Sequence, residues 1–368
     1  MSFRTHEDRA DDGEALRRRQ AAAVLTLAGL AAGDARANHG RAGELTQLAL
    51  ATAEAGLRGY IRFRGGKQPS WPEQVLHAYL RWAAVQGVPL RAEVRDATAV
   101  QAWLSAQPIM REVRPQGNTT RGALSAALHG PSGPPNTSKG AACVPRAAAC
   151  AALSPVLGFD GPRGLASVAI DTAAVTHGHP IAHAATAGFV VLLHHIGQGH
   201  ELIGATQRTI GLLTDSDPIT DAGACATVAQ HLQAALDRSL GGGAYTHAKQ
   251  FGWAGHVAEE ALAIGVWAAA HDDLATALAR AGDHGGERHA TQAIAGAIWG
   301  ALAAQRYSQR GDHDPLEAVA QPLEEIPDAL LPPAGQSAVI ERVADDLVRL
   351  CRPGSVITGL DERRWPGS

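Results

Sequence analysis

The chain has 368 residues, 45% hydrophobic but only 4% aromatic, with a formal net charge of −4 and a pI near 6.5. It lacks the surplus of Lys and Arg with which proteins neutralise phosphates, so we do not expect it to bind nucleic acid. Alanine favours helices, and long β-branched runs are scarce. The composition therefore predicts an all-α protein with closely packed helices.

The four cysteines, Cys143, Cys150, Cys225 and Cys351, form no C-x-x-C pair, so we expect buried thiols and no zinc or redox motif. No apolar run is expected to reach the 18 residues of a membrane helix, and no membrane partner is predicted. The acidic N-terminus argues against a signal peptide over residues 21–32. A cytoplasmic protein is expected.

Residues 1–19 are predicted to form a charged N-terminal extension, and residues 20–368 a single helical domain. The first helix is expected over about 20–32, with Gly33 as its C-cap. A connection over 33–43 leads to a helix over 44–59. The next helix, over 71–87, has Pro72 in its first turn.

A shorter helix is expected near 96–106, followed by a loop and helix in "RPQGNTTRGALSAALHG". The Pro/Gly/Ser-rich stretch 131–153 is the kind of loop that often contacts ligands. Further helices are predicted over 165–177, from Pro180 onward, over 252–270 and over 290–308. Gly296 and Gly300, four residues apart, predict close approach to a neighbouring backbone. No repeat or linker is evident, so we predict one compact bundle.

Seven segments, in this order along the chain, resemble the motifs of the ADP-ribosylglycohydrolase family. They are "LAGLAAGDA" (27–35), "LTQLALATAEAGLRG" (45–59), "HAYLRWAAVQG" (77–87), "NTSKGAACVPRAA" (136–148), "VTHGHP" (175–180), "GWAGHVAEEALAIGVW" (252–267) and "DHGGERHATQAIAGAIWGA" (283–301). The resemblance implies a compact, orthogonal multi-helix bundle of that family's type. It also implies a cleft that holds ADP-ribose over two magnesium ions, which orient the distal ribose and an attacking water.

The chain departs from the family pattern where aspartates would bind those ions. Residues 43–45 read Gly-Glu-Leu in place of T-D-D, and residues 287–290 read Glu-Arg-His-Ala in place of D-x-D-S. The family's flap, with its glutamate, also has no counterpart in the short connection after Asp34. Mg²⁺ prefers oxygen ligands in near-octahedral geometry, so no magnesium pair and no cofactor are expected. A site for a single ion, bound by Glu44, Glu287 and His289, is the alternative. The imidazole of His289 would suit Zn²⁺, Mn²⁺ or Fe²⁺ better than Mg²⁺.

The motifs that would contact the ligand match the family pattern better than the metal-binding motifs do. In the loop Ser138-Lys139-Gly140-Ala141-Ala142, backbone N–H groups at a helix start would suit a diphosphate; an ordinary capped loop is the alternative. His177 matches a ribose-contacting position, with Thr176 and His179 beside it, although all three could instead cap helices. Asp34 could orient the ligand or bond the neighbouring helix, and Thr291 matches the family motif.

Three functions remain open from the sequence. The first is a binding or regulatory pseudo-hydrolase that recognises ADP-ribose, a related nucleotide or glycoside, or an ADP-ribosylated protein. The second is an altered glycohydrolase, in which Glu287 acts as base and His289 as acid, with Glu44 as a further candidate. The third is a cleft redirected to another N-glycoside or to a guanidinium-bearing small molecule.

Overall fold

The computed structural model describes residues 9–94, 102–128, 136–153, 161–240, 247–309, 322–350 and 355–367, with side chains from residue 18 onward. These residues form helices and connecting turns without a strand, which confirms the predicted all-α class. The α-helices of the first half are α1 (Arg9–Ala37), α2 (Glu44–Arg64), α3 (Trp71–Val85), α4 (Pro108–Arg111), α5 (Asn118–Ala126) and α6 (Gly161–Ala174).

The second half continues the bundle. Its α-helices are α7 (Pro180–Gly197), α8 (Leu202–Leu213), α9 (Ala222–Leu240), α10 (Ala258–Ala269), α11 (Leu274–Ala281), α12 (Arg288–Gln309), α13 (Ala334–Leu350) and α14 (Gly359–Arg364). Short 3₁₀ helices at Ala141–Cys143 and Pro145–Leu153 lie between α5 and α6. Helices α4, α8, α9, α11, α13 and α14 were not predicted from the sequence.

Several predicted helix bounds were wrong. α1 begins at Arg9 and does not end at Gly33, and α2 continues through Gly59 to Arg64. Both glycines lie inside helices because tertiary packing outweighs their low helix propensity. α10 begins six residues later than predicted, and the segment before it turns through Gly252 and Gly255, with φ of 72° and 67°. Most of the helix predicted near 96–106 and residues 131–135 lie outside the described residues.

α1 and α12 share the most extensive helix–helix contact in the described fold. A Cβ added to Gly29 would lie 2.2 Å from the carbonyl oxygen of Gly296, and one added to Gly33 would lie 2.1 Å from that of Gln292. At Gly300 it would lie 2.0 Å from the carbonyl oxygen of Leu25. The order of these contacts makes the helices antiparallel, and the predicted close approach of Gly296 and Gly300 is confirmed.

α7 lies in the core. Its 18 residues are long and apolar enough to cross a membrane by length and composition, contrary to our expectation, but 67% of them are buried inside the protein. The thiols of Cys143, Cys150 and Cys225 are buried as predicted, and Cys351 lies outside the described residues.

The glycine contact yields a stability prediction. We expect Gly296→Ala to lower the free energy of unfolding by about 1–3 kcal/mol, because the new methyl group would overlap the Gly29 carbonyl and force the helices apart. Gly211→Ala in α8 is the matched control. It has open space around it and should raise stability by about 0.4–1 kcal/mol. Urea denaturation measures both, and equal effects at the two positions would contradict the prediction.

Candidate functional site

Three helix ends converge on one cavity of about 670 Å³: the C-terminus of α1 and the N-termini of α2 and α12. The loop before the Ala141–Cys143 turn and the start of α5 complete its walls. The cavity brings together seven of the predicted site residues, namely Glu44, Gly140, Ala141, Ala142, His177, Glu287 and His289. The short turn over 38–43 between α1 and α2 confirms that no long flap follows Asp34.

Asp34 lies behind the cavity wall and is fully buried. Its Oδ2 accepts hydrogen bonds from the Gly43 amide (2.8 Å), the Thr46 amide (2.9 Å) and the Thr46 hydroxyl (2.6 Å). It therefore caps α2, a role that a side chain at the N-cap position usually performs. A Cβ on Gly43 would lie 2.5 Å from Oδ1 of Asp34, so this cap requires glycine at position 43.

Glu44 opens α2 and faces the cavity. Its Oε2 accepts a hydrogen bond from the Gly117 amide at 2.7 Å, whereas its Oε1 is buried without a hydrogen-bond partner in the described residues. Burial raises the pKa of Glu44 above 4.5, although the Gly117 amide and the charge of Arg146 oppose the rise. A carboxylate kept at such a cost is typical of functional sites.

Glu287 is held at the start of α12. Its backbone amide donates to the Ala254 carbonyl (2.9 Å), and its Oε1 accepts a hydrogen bond from the His289 amide (2.8 Å). Gly286 makes this possible, because a Cβ there would lie 1.8 Å from the Ala254 oxygen. The Glu287 carboxylate thus caps its own helix at the cavity edge.

His289 links the cavity to the buried Asp34. Its Nδ1 lies 3.8 Å from Oδ1 of Asp34, and its side chain is 46% exposed. The contact with Asp34 raises the pKa of His289 above 6.5 although partial burial opposes the rise, and the charges of Glu287 and Glu44 make smaller contributions in the same direction as Asp34. The imidazole therefore carries more positive charge near neutral pH than an isolated histidine does.

The loop over 136–142 is internally hydrogen-bonded. The Ser138 amide donates to the side chain of Asn136, the Gly140 amide to the Ser138 hydroxyl and the Ala141 amide to the His256 carbonyl. These three amides were predicted to bind a diphosphate. In the structure they already donate hydrogen bonds within the protein. Since Gly140, Ala141 and Ala142 still line the cavity, they can contact a ligand through their apolar surface.

Ser138 and Lys139, which were also predicted to bind the ligand, are not among the residues that line the cavity. Lys139 forms an ion pair with the buried Glu259, and the Ser138 hydroxyl also contacts the Thr119 hydroxyl at 3.0 Å. Backbone hydrogen bonds from Ala258 to Lys139 (2.9 Å) and from Ala141 to His256 (3.0 Å) tie the loop to the start of α10.

His177 lines the cavity, and its neighbours fix which of its ring nitrogens carries the proton. Arg146, which is fully buried, donates to the Thr176 hydroxyl, and that hydroxyl lies 2.8 Å from Nδ1 of His177. Nη2 of Arg146 also lies 3.4 Å from Nδ1 of His177. Because a guanidinium only donates, Nδ1 is an acceptor and Nε2 carries the ring proton. Burial, helped by the charge of Arg146, lowers the pKa of His177 to about 2. His177 is a neutral hydrogen-bond donor beside Gly140.

The remaining predicted residues, Thr176, His179 and Thr291, lie outside the cavity lining and make hydrogen bonds within the protein. His179 caps α7 by accepting a hydrogen bond from the Ile181 amide (3.1 Å), and the buried Thr291 hydroxyl contacts Nε2 of His284 (3.0 Å). Neither lines the cavity, and nor does Thr176. Several lining residues were not predicted from the sequence, among them Arg114, Gly117, Asn118, Thr120 and His256. The Pro-Gln-Gly-Asn loop before α5 was the signal that could have found most of them.

Comparisons with known proteins agree with this architecture. The family model of the ADP-ribosylglycohydrolases matches residues 7–354. The chain belongs to the ADP-ribosylglycohydrolase family. A search of curated proteins found no match. Among solved structures, a chain described as "ADP-ribosylglycohydrolase-related protein complex" is similar with a TM-score of 0.55 and 19% identity, over 91% of this chain and 99% of that one. At that identity, the likeness shows the fold.

The family's magnesium pair does not fit the donors present in this member. Within the described ranges, no group of three or more His, Cys, Asp or Glu side chains is close enough to hold a metal ion. One oxygen of Glu44 accepts a hydrogen bond from the Gly117 amide, and one oxygen of Glu287 accepts one from the His289 amide. The side chain of Leu45 has no atom that could bind a metal ion. Because Mg²⁺ requires several converging oxygens, we derive no step through a metal.

The raised pKa of Glu44 predicts a stabilising substitution. Glu44→Gln should raise the free energy of unfolding at neutral pH, on the order of 1 kcal/mol, because the amide needs no buried charge and can still accept from Gly117. A raised folded pKa means the gain is near zero at low pH and grows as pH rises above 4.5. Denaturation at several pH values measures it. Glu93→Gln, at an exposed position, is the control and should change little; a destabilised Glu44→Gln would contradict the prediction.

His177 should not titrate in the folded protein. Because burial and Arg146 hold its pKa near 2, its ring resonances should stay those of the neutral Nε2–H tautomer from pH 5 to 8. Nitrogen-15 NMR of the ring reports both the charge and the tautomer. A midpoint near pH 6.5 for this ring, or a proton on Nδ1, would show the hydrogen-bond chain from Arg146 to be wrong.

Proposed function

We propose that this protein binds ADP-ribose, or a related nucleotide or glycoside, in the cavity beside His177 and acts as a binding or regulatory member of its family without the two-magnesium hydrolysis. The observation that carries the proposal is that Glu44 and Glu287, which stand where metal-binding aspartates would, each have an oxygen bound to a backbone amide. The cavity has His177 in its wall as a fixed hydrogen-bond donor.

The charge of the site supports an anionic ligand. The N-termini of α2 and α12 direct the positive ends of their dipoles to the cavity. The raised pKa of His289 adds positive charge. Arg114 also lines the cavity, where it is paired with Glu112, and the carboxylates of Glu44 and Glu287 line the same cavity. A diphosphate would meet the helix N-termini and His289. We further expect the ligand to be presented in the cytoplasm, either free or as part of an ADP-ribosylated protein.

An altered glycohydrolase is the second candidate, and one observation favours it. His289 and Glu44 line the same cavity, and both have a raised pKa, so each holds its proton at a higher pH than usual. A protonated group can act as general acid toward a leaving group. Glu287, two residues from His289, would then be the base.

Calorimetry with ADP-ribose in the presence of EDTA tests binding. The wild-type protein should bind, and His177→Ala should weaken binding about tenfold, the loss expected for one well-placed hydrogen bond in a closed site. His179→Ala is the matched control, because this histidine caps α7 and does not line the cavity. It should cost stability and leave affinity unchanged.

A turnover assay separates the two candidates. We expect no release of ADP-ribose from ADP-ribosylated substrates with Mg²⁺, Mn²⁺ or Zn²⁺ present. Turnover that Glu287→Gln abolishes would establish the altered glycohydrolase. If wild-type protein does not bind ADP-ribose at all, the proposal is rejected in favour of a redirected cleft.

A further inference from the structure

A second cavity lies on the other side of the turn that carries Glu287 and His289. Its volume is about 830 Å³, and it shares Ala37, Glu287 and His289 with the first cavity. The end of α1, the end of α11 and the start of α12 form its walls. The two cavities are therefore neighbours with one common wall.

Arginines dominate the charge of this second cavity. Arg36 at the end of α1 and Arg288 at the start of α12 are exposed, and neither forms an ion pair within the described part of the chain. Arg280 adds a third guanidinium, which is stacked on Trp267 with its Cζ 3.9 Å from the ring centroid. Guanidinium groups are the preferred partners of phosphate and carboxylate oxygens.

Both acidic side chains that line the second cavity have partners within the protein. Asp283 is paired with the imidazole of His247, and Oε1 of Glu287 accepts the His289 amide. Three guanidinium groups and two carboxylates thus line the cavity, and Arg280 also contacts Nε2 of His271. The lining keeps an excess of positive charge that its own acidic groups do not neutralise.

We propose that the second cavity is an oxyanion site that binds a phosphate group, either free or as a substituent of the nucleotide held in the first cavity. Arg36 and Arg288 are the residues that recognise it. The substituent form rests on the proposed function, because it needs ADP-ribose in the first cavity. The free form does not.

The test is calorimetry at constant ionic strength, with EDTA and without phosphate buffer. The probes are inorganic phosphate, ADP-ribose and ADP-ribose 1″-phosphate. The wild-type protein should bind inorganic phosphate, and Arg36→Gln/Arg288→Gln should weaken that binding at least tenfold. Arg208→Gln/Arg363→Gln, which removes two exposed arginines outside both cavities, is the charge-matched control and should bind as wild type does. Thermal unfolding checks that both double variants are folded.

The nucleotide pair identifies the source of the phosphate. If ADP-ribose 1″-phosphate binds about tenfold more tightly than ADP-ribose and the double variant loses this gain, the phosphate is a substituent. If the two nucleotides bind equally but inorganic phosphate binds through Arg36 and Arg288, the anion is free. Phosphate probes that bind the double variant as well as the wild type, or that do not bind at all, overturn the proposal. Failure of ADP-ribose alone rejects only the proposed function.

Discussion

The close contact between α1 and α12 determines where the rest of the site lies. Glycines at positions 29, 33, 296 and 300 let the two backbones approach to a distance that any side chain would prevent. Because the helices are antiparallel, the C-terminus of α1 meets the N-terminus of α12. Interiors packed this closely transmit a shift in one element to its neighbours, so the positions of Asp34 and His289 depend on this contact.

Asp34 converts that helix pair into a three-helix junction. One of its oxygens caps α2, and the other faces His289 across 3.8 Å. The same carboxylate accounts for Gly43, which a side chain could not replace without striking Asp34. The positive charge of the site comes from His289 and the helix N-termini.

The two cavities on either side of Glu287 and His289 give the site an extended shape. In the first, His177 is held neutral in one tautomer through Thr176 and Arg146, which suits a fixed hydrogen bond to an uncharged hydroxyl. In the second, the exposed Arg36 and Arg288 suit an anion. Under the two proposals above, selectivity would follow because a sugar in the first cavity and an anionic group in the second must both be present at the right spacing.

The amino-acid sequence alone was enough to predict the all-α class, the family and seven of the residues that line the first cavity. Small residues at helical spacing and the glycine turn before Glu287 are local signals, and local signals survive in the order of residues along the chain. The hydrogen-bond partner of each polar group, in contrast, depends on contacts that form only in the folded chain. The amides of Ser138, Gly140 and Ala141 were expected to face a ligand, yet they bond within the protein, and Gly33 was expected to end a helix that in fact continues. Ala141 donates to His256, and Gly33 packs against Gln292. In both pairs the partner lies more than a hundred positions along the chain, so no local sequence pattern specifies it.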